Sequence, residues 1–232
     1  MARIKEWEEL TISDNFLFQK VMQNKRLCKR LIQKLLKIKI KNIIYPFAEK
    51  SIAIGATSKA VRLDLYVETD DGTIIDIEIQ TTDGADGWLP KRTRYYQAMI
   101  DLDVLGKGKD YIELKKSYVI FICTFDPYGK GLPIYHFTYC CHEDDGLQMG
   151  DLTENIFLNA TAADRTEDRE LAAFLRYVDN GLAGNRFTQE LDEETKRVKN
   201  DKDWRERIVT WEMDLRIMEK AAEERGRKEG RR

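Results

Sequence analysis

Two short segments that alternate between apolar and polar residues constrain the fold of this chain more than any other feature. Residues 61–68 read VRLDLYVE and residues 74–80 read IIDIEIQ, and a two-residue period of this kind is typical of β-strands. Between them lies a three-residue loop, Asp70-Asp71-Gly72, which suits a type I turn closed by a glycine in the left-handed conformation. The sequence therefore predicts an antiparallel hairpin.

The turn also fixes which residues of the hairpin face each other. If Thr69 pairs with Thr73, Asp64 lies directly opposite Glu78, and the Cβ atoms of such opposed residues are ~5 Å apart. One face of the hairpin is then apolar, with Val61, Leu63, Leu65, Val67, Ile75, Ile77 and Ile79. The other face carries Asp64, Asp76, Glu78 and Gln80.

The opposed carboxylates of Asp64 and Glu78 repel each other, because like charges at facing positions destabilise a sheet. A divalent cation would relieve this repulsion, with oxygen ligands from Asp64, Glu78 and the main-chain carbonyl of Ile79. Such a ligand set suits Mg²⁺ or Mn²⁺, which polarise a phosphoryl oxygen and lower the pKa of a bound water. An ordinary exposed polar face is the alternative interpretation, since the spacing of these residues is a weak pattern by itself.

The remaining periodicities predict an α/β domain. Residues 88–105 are typical of a helix, and the apolar run 117–125 indicates a strand that is covered on both faces. Further strands are predicted at 132–142 and 154–160, and a helix from about 164 to Gly181. A chain of 232 residues, 42% of them apolar, can hold one such domain and a helical appendage.

A long helix is predicted at the end of the chain, from about 187 to 225. Its apolar residues recur at intervals of four and three positions, the heptad spacing of a helix that packs along one seam. These residues are Trp204, Ile208, Trp211, Leu215, Met218 and Ala222. The seam packs either on the domain or against a second copy, which would form a homo-oligomer. We predict a core at residues 1–162 and a helical extension with a charged tail at 163–232.

A basic segment lies near the start of the chain, where residues 25–41 contain eight lysines and arginines and no acidic residue. A helix there places five of them on one face: Arg26, Arg30, Lys34, Lys37 and Lys41. That face either is simply solvated or contacts DNA phosphates, because like charges without a compensating acid are costly away from a polyanion. The net charge of the chain is −2, so nucleic-acid binding depends on such local patches.

Four motifs, read in order, resemble a known family. They are ISDNFLFQKVM near the start, RLDLYV and DGTIIDIEIQ in the hairpin, and KRTRYYQAMI in the helix after it. Together they are similar to the Rpn/YhgA-like family of PD-(D/E)XK nucleases, described as recombination-promoting nucleases or candidate transposases. The resemblance covers roughly residues 8–160, and the charged tail is similar as well. It implies a restriction-endonuclease-like fold, in which helices flank a mixed sheet, and Mg²⁺-dependent cleavage of DNA.

The resemblance also implies roles for residues of the hairpin. Asp64 matches the first acid of the nuclease motif, Glu78 matches the second, and Gln80 stands where the superfamily usually has lysine. A neutral glutamine can position the attacking water but cannot stabilise developing charge. The positive group is therefore expected elsewhere, although glutamine is usual at this place in the family.

The helix that follows the motif offers the missing charge, since Lys91, Arg92 and Arg94 lie near its start. We assign the catalytic role to Arg92 and predict that Lys91 and Arg94 contact DNA. Accessory roles are open for Asp14, Asp76, Tyr95 and Tyr96. Capping of a helix is the simpler explanation for Asp14, and packing is the simpler explanation for Tyr95 and Tyr96.

Two functions are consistent with these features. One is an endonuclease that acts in recombination or mobile-element biology, and the other is a nuclease-fold module with weak or no catalysis that binds DNA or a protein partner. The start of the chain lacks an apolar signal segment, and no stretch reaches the ~20 apolar residues of a membrane helix. The four cysteines lack the spacing of a disulfide framework and are expected to be buried thiols. We therefore place the protein in the cytoplasm.

Overall fold

Helices flank a mixed six-stranded β-sheet in the computed structural model of the protein, which describes residues 7–47, 50–53, 60–83 and 87–205. The strands are β1 (Ile43–Phe47), β2 (Lys50–Ile52), β3 (Val61–Leu63), β4 (Leu65–Thr69), β5 (Ile74–Gln80), β6 (Ser117–Cys123), β7 (Ile134–Phe137) and β8 (Thr153–Asn159). The α-helices are α1 (Asn15–Met22), α2 (Lys25–Leu36), α3 (Leu89–Val104), α4 (Arg169–Asn180) and α5 (Arg186–Lys199). Short 3-10 helices lie at Trp7–Glu9, Tyr111–Glu113 and Ala160–Arg165. The predicted α/β fold is confirmed.

The sheet combines antiparallel and parallel pairs in the order β1-β4-β5-β6-β8-β7. The hairpin strands β4 and β5 are antiparallel, β5, β6 and β8 run parallel, and β7 closes the far edge antiparallel to β8. Every residue of β5 and β6 is buried, because these central strands have packed side chains on both faces of the sheet. The covered strand predicted within 117–125 is therefore confirmed.

The hairpin between β4 and β5 has the predicted register. Leu65 faces Ile77, and the backbone N–H of Thr69 donates to the carbonyl of Thr73 at 3.0 Å. Gly72 has a φ of +82°, the left-handed conformation expected of glycine at the end of this turn. The local turn chemistry thus sets the pairing of the two strands.

The first segment of the hairpin is not one continuous strand. Its alternation predicts a single strand, but Asp64 interrupts it between β3 and β4. Because β3 pairs with β2 in a separate two-stranded sheet, Val61 and Leu63 pack in a different apolar cluster from Leu65. The backbone N–H of Asp64 donates to the side chain of Glu78, so it is not available to a neighbouring strand, which explains the break.

Two apolar clusters cover the two faces of the sheet. The larger one joins the sheet to α1, α2, α4 and α5, and its helical members include Leu17, Leu31, Phe174 and Leu191. The smaller one joins the opposite face to α3 through residues such as Met99. Helices α4 and α5 therefore share a core with the first two helices. The domain boundary at residue 162 stays a prediction.

Helix α4 begins later than predicted but ends where expected. It starts at Arg169 rather than near residue 164, because a 3-10 helix occupies Ala160–Arg165 and the side chain of Asp168 accepts hydrogen bonds from the first backbone N–H groups of α4. It ends at Gly181, whose φ of +78° is the left-handed conformation that glycine adopts most easily at a helix end.

The long C-terminal helix predicted from 187 to 225 is interrupted. Helix α5 ends at Lys199, and a new helical segment begins at residue 202. Trp204 packs against the larger apolar cluster, and the rest of the predicted seam lies outside the described residues. Within the described part of the chain, no helix is both long enough and apolar enough to cross a membrane.

The cysteines divide into two pairs with different surroundings. Cys28 and Cys123 are buried, as predicted. Cys140 is exposed and Cys141 is half-buried, so the prediction is wrong for this pair. Both lie beyond the end of β7, where an isolated bridge between Cys140 and Gln148 holds a surface loop rather than part of the sheet.

Candidate active site

Two acidic side chains meet where Asp64 interrupts the hairpin segment. Asp64 lies between β3 and β4, Glu78 lies on β5, and the backbone N–H of Asp64 donates to Glu78 Oε1 at 2.8 Å. Only 4% of Asp64 and none of Glu78 is exposed. The predicted proximity of the two residues is observed. The alternative of an exposed polar face is wrong, because α3 covers this side of the sheet.

Helix α1 orients the carboxylate of Asp64 from the other side. Asn15 Nδ2 donates to Asp64 Oδ1 at 2.9 Å, and Gln19 Nε2 donates to the same oxygen at 3.2 Å. The two amides are joined in turn, since Gln19 Nε2 also donates to Asn15 Oδ1 at 2.8 Å. Neither amide was predicted from the sequence. Their four-residue spacing on one helix face, within the first motif, was the available signal.

Arg92 of α3 reaches across to the second acid. Its Nη2 atom donates to Glu78 Oε2 at 2.6 Å, forming an ion pair in which the carboxylate is fully buried. Its Nη1 atom donates to Gln80 Oε1 at 3.0 Å, and its Nε atom donates to the hydroxyl of Tyr96 at 2.7 Å. All three donor nitrogens of the guanidinium are thus directed at named acceptors, and a cation lies beside Glu78 and Gln80.

Aromatic rings surround the same guanidinium. Its central carbon lies 4.7 Å from the ring centre of Tyr96, 5.4 Å from that of Trp88 and 5.4 Å from that of Phe121. Cation–π contacts at such distances stabilise a positive charge that has lost part of its water. Arg92 therefore occupies a pocket built to hold a cation.

Gln80 is fixed at both ends of its amide. Its Nε2 atom donates to the carbonyl of Thr82 at 2.9 Å and to the hydroxyl of the same residue at 3.2 Å. These contacts leave Oε1 directed at Arg92. A lysine at this position would place a second cation against the guanidinium, so glutamine and Arg92 form a matched pair.

Asp76 is a third acid on the same face of β5. It is fully buried, and neither of its carboxylate oxygens has a hydrogen-bond partner among the described residues. A buried polar group without a partner is costly. The cluster therefore contains three carboxyl groups, Asp64, Asp76 and Glu78, beside the guanidinium of Arg92, and the charge of Arg62 also acts on Glu78.

The shared surroundings disturb the pKa of every acid in the cluster. Burial and the charge of Asp64 together raise the pKa of Glu78 to about 8, against the opposing charge of Arg92. Burial and the charge of Glu78 raise the pKa of Asp76 well above its ordinary value. Burial also raises the pKa of Asp64, although hydrogen bonds, including one from the Ile79 backbone, oppose this shift. Each of the three acids is therefore harder to ionise than an exposed carboxyl group.

These donors fit a hard divalent cation. Asp64 and Glu78 place carboxylate oxygens beside the backbone of Ile79, and Asp76 adds two buried oxygens without a partner in the described chain. Oxygen ligands of this type are those that Mg²⁺ and Mn²⁺ prefer. Among the described residues, however, no three acidic, histidine or cysteine side chains already converge on one metal position. Both oxygens of Glu78 accept hydrogen bonds from the protein.

The remaining residues of the predicted site have different surroundings. Asp14 occupies the N-cap position of α1, but its side chain makes no cap hydrogen bond and accepts from the backbone N–H of Thr11 at 2.7 Å. Asp14 therefore lies at the predicted cap position, but its side chain does not form the expected capping hydrogen bond. Tyr95 is partly exposed, whereas Tyr96 is buried and bonded to Arg92.

Lys91 and Arg94 lie on the outer face of α3. Both side chains are exposed. In contrast to Arg92 on the same helix, neither forms a salt bridge with an acid in the described part of the protein. Their charge is therefore available at the surface next to the acidic cluster.

Acids from the C-terminal helices pair with most of the predicted basic face, although Lys37 and Lys41 lie beyond the end of α2 at Leu36. Four of its five predicted side chains form ion pairs: Arg26 and Arg30 with Glu190, Lys34 with Glu170, and Lys37 with Asp168. The carbonyl of the fifth residue, Lys41, accepts from Lys29. The expectation that these charges lack a compensating acid is wrong. The compensating acids lie far away in sequence but close by in the fold. Contact with DNA through this face stays a prediction.

Residues 15–231 match the family model described as PD-(D/E)XK nuclease family transposase. No curated protein and no solved structure matches the chain. The matched residues include the three acids of the cluster, Gln80, Arg92 and the amides of α1, and they extend through α4 and α5.

Proposed function

Since the chain belongs to the PD-(D/E)XK nuclease family transposases, as its motifs predicted, we propose that it is a metal-dependent endonuclease that hydrolyses phosphodiester bonds of DNA. The observation that carries this proposal is the buried contact between Asp64 and Glu78, in which the backbone N–H of Asp64 donates to Glu78 Oε1 at 2.8 Å. Gln80 and Arg92 lie beside this contact. Three carboxyl groups buried close together with shifted pKa values are typical of a site that serves a cation or a reaction.

The proposed metal ligands are Asp64, Glu78 and the main-chain carbonyl of Ile79, with Mg²⁺ or Mn²⁺ as the ion. When bound, such an ion supplies Lewis-acid polarisation of the phosphate and a water of lowered pKa. Asn15 and Gln19 keep the carboxylate of Asp64 in one orientation, which supports precise binding because a ligand held by outer hydrogen bonds loses less freedom.

Arg92 supplies the positive charge that the motif lacks at Gln80. A guanidinium is permanently charged and can donate two parallel hydrogen bonds to a phosphate. Gln80 positions it through the 3.0 Å hydrogen bond to Nη1. We therefore assign stabilisation of the developing phosphate charge to Arg92 and a positioning role to Gln80.

DNA is the proposed substrate, and α3 is the proposed surface that meets its backbone. Lys91 and Arg94 are exposed there, on the helix that carries Arg92. We also propose a cytoplasmic location, which the buried thiols of Cys28 and Cys123, neither of them in a disulfide, support. A homo-oligomer through the last helix remains a proposal drawn from the heptad spacing of its sequence.

A second candidate function is a nuclease-fold module that binds DNA or a protein partner with weak or no catalysis. The observation that favours it is the full engagement of Glu78, both of whose oxygens accept hydrogen bonds from the protein. In this case Arg92 would serve as a permanent partner of Glu78, and the protein would bind DNA without cutting it.

A nicking assay on supercoiled plasmid separates the two candidates. With Mg²⁺ or Mn²⁺, the wild-type protein should convert the plasmid to open circles and linear DNA, and a chelator should stop the reaction. Asp64→Ala and Glu78→Ala should each abolish cutting, whereas Asp164→Ala, which removes an exposed acid paired with Arg176, should not. Robust cutting by the Asp64→Ala, Glu78→Ala double variant would overturn the proposal. Binding of DNA by the wild-type protein without cutting would favour the module.

A further inference from the structure

We infer that Arg92 and the divalent cation compete for one oxygen, Glu78 Oε2, so that Arg92 must leave this oxygen before the metal site is complete. This inference rests on the proposed function, because it concerns the same two acids. It adds that the arginine is both the catalytic cation and a latch on the metal site.

The two oxygens of Glu78 differ in how firmly the protein holds them. Oε1 accepts from the backbone N–H of Asp64 at 2.8 Å, a donor that cannot move without opening the junction of β3 and β4. Oε2 accepts from the side chain of Arg92 at 2.6 Å, and a side chain can rotate away. A cation that binds Glu78 therefore takes the oxygen that Arg92 now holds.

Arg92 has other partners that keep it in place after it gives up Glu78. Its Nη1 atom is held by Gln80 Oε1 and its Nε atom by the hydroxyl of Tyr96. The rings of Trp88, Tyr96 and Phe121 surround the charge. About a quarter of the side chain is exposed, at 26%, so it can turn without unfolding the helix. The guanidinium thus stays at the site with its Nη2 donor released.

The released donor has a clear target. A phosphate oxygen is a suitable acceptor for Nη2, and charge-assisted hydrogen bonds of this kind are among the stronger ones in proteins. The latch therefore links two events, since the cation frees the group that then contacts the substrate. It also accounts for glutamine at position 80, because the residue there must accept a hydrogen bond from Arg92 rather than repel it.

Calorimetric titration of the full chain with Mn²⁺, without DNA, tests the competition directly. Arg92→Ala and Arg92→Gln remove the competing cation and should tighten Mn²⁺ binding by about tenfold or more, since a charge-assisted hydrogen bond no longer has to be broken. The control is Arg176→Ala, which removes an arginine from an exposed pair with Asp164 and should leave Mn²⁺ affinity unchanged. Cleavage should fall in both Arg92 variants although they bind metal better.

Thermal melting provides a second readout and guards against misfolded variants. Removing Arg92 leaves the carboxylate of Glu78 buried without its partner, so the variants should melt lower than the wild type without metal. Mn²⁺ should raise the melting temperature of Arg92→Gln more than that of the wild type, because the ion replaces the lost cation. The same comparison with Arg92→Ala keeps the test valid if one variant folds poorly.

The possible results of the Mn²⁺ titration lead to different conclusions. Tighter Mn²⁺ binding in the Arg92 variants supports the latch, also if the wild type binds too weakly to detect. Wild-type binding that is equal to or tighter than that of both variants overturns the latch and leaves the proposed metal site intact. If neither the wild type nor the variants bind Mn²⁺, both the latch and the metal-dependent function fail.

Discussion

Helices α2 and α3 both present basic side chains, but those side chains meet their acids in opposite settings. On α2, the exposed side chain of Arg26 pairs with Glu190 at the surface, where an ion pair contributes at most about 1 kcal/mol to stability. On α3, Arg92 pairs with the fully buried Glu78, and breaking such a pair typically costs about 3–5 kcal/mol. The density of positive charge in a sequence is therefore a poor guide to function, and the surroundings of each charge matter more.

The largest difference between the two helices is expected when Arg92 of α3 or Arg26 of α2 is replaced by alanine. Arg92→Ala should lower the free energy of unfolding by about 3 kcal/mol, since a buried acid loses its partner. It should also slow cleavage by about 100-fold. Arg26→Ala should change stability by less than about 1 kcal/mol. Urea unfolding and the nicking assay measure both effects, and equal losses of stability in the two variants would erase the distinction between the helices.

Substitution of Gln80 tests whether the positive charge of the site has moved to α3. Gln80→Ala should slow cleavage by about tenfold, less than Arg92→Ala, because it loosens the arginine without removing its charge. Gln80→Lys should be no better than the wild type, since a second cation would face Nη1 of Arg92. A clear rise in activity with lysine would show that position 80 still needs a positive group. Gln80→Glu, which keeps an acceptor for Arg92, is a useful comparison.

The two helices should also differ in their contribution to DNA affinity. Replacement of Lys91 and Arg94 by alanine should reduce the slope of log affinity against log salt by about two, as expected for two phosphate contacts. Replacement of Arg30 and Lys34 should have a smaller effect, because acids of α4 and α5 already neutralise them. Fluorescence anisotropy across a salt series measures both. A larger effect from the α2 variant would mean that its ion pairs open to receive DNA.

A further contrast is expected in the pH dependence of stability without metal. The pKa of Glu78 is raised to about 8, so above about pH 4.5 the unfolded state loses a proton that the folded state retains, and stability should fall as the pH rises toward 8. Hydrogen bonds from Arg30 and Arg26 lower the pKa of Glu190 to about 2. The stability that ionised Glu190 contributes is therefore present above about pH 4.5 and is lost as the pH falls toward 2.

Two substitutions test which residue causes each of these opposite changes of stability with pH. Glu78→Gln should flatten the loss of stability toward pH 8, and Glu190→Gln should flatten the loss in acid. Melting temperatures measured from pH 3 to 8 in the presence of chelator provide the comparison. Unchanged slopes in Glu78→Gln would place the neutral-range titration on another group.

The sequence by itself determined the parts of the site that depend on neighbouring residues. The period of two in the hairpin segments and the turn that ends at Gly72 set the register that brings Asp64 and Glu78 together. Helical spacing placed Arg92 on the helix that follows. The motifs around these residues identified the family that the chain belongs to. Local periodicity and turn geometry were sufficient for the hairpin and the helix, whereas the family followed from the resemblance of the motifs.

Only the tertiary structure decided which distant groups complete the site. The amides of Asn15 and Gln19 reach Asp64 across 49 and 45 positions of sequence. Glu190 pairs with Arg26 and Arg30 of α2 across more than 150 positions. No local period encodes such contacts, because they depend on how helices pack on the sheet. The same packing buried Asp76 and Glu78 under α3, where the low dielectric surroundings, rather than the residue types, set their charge and their chemistry.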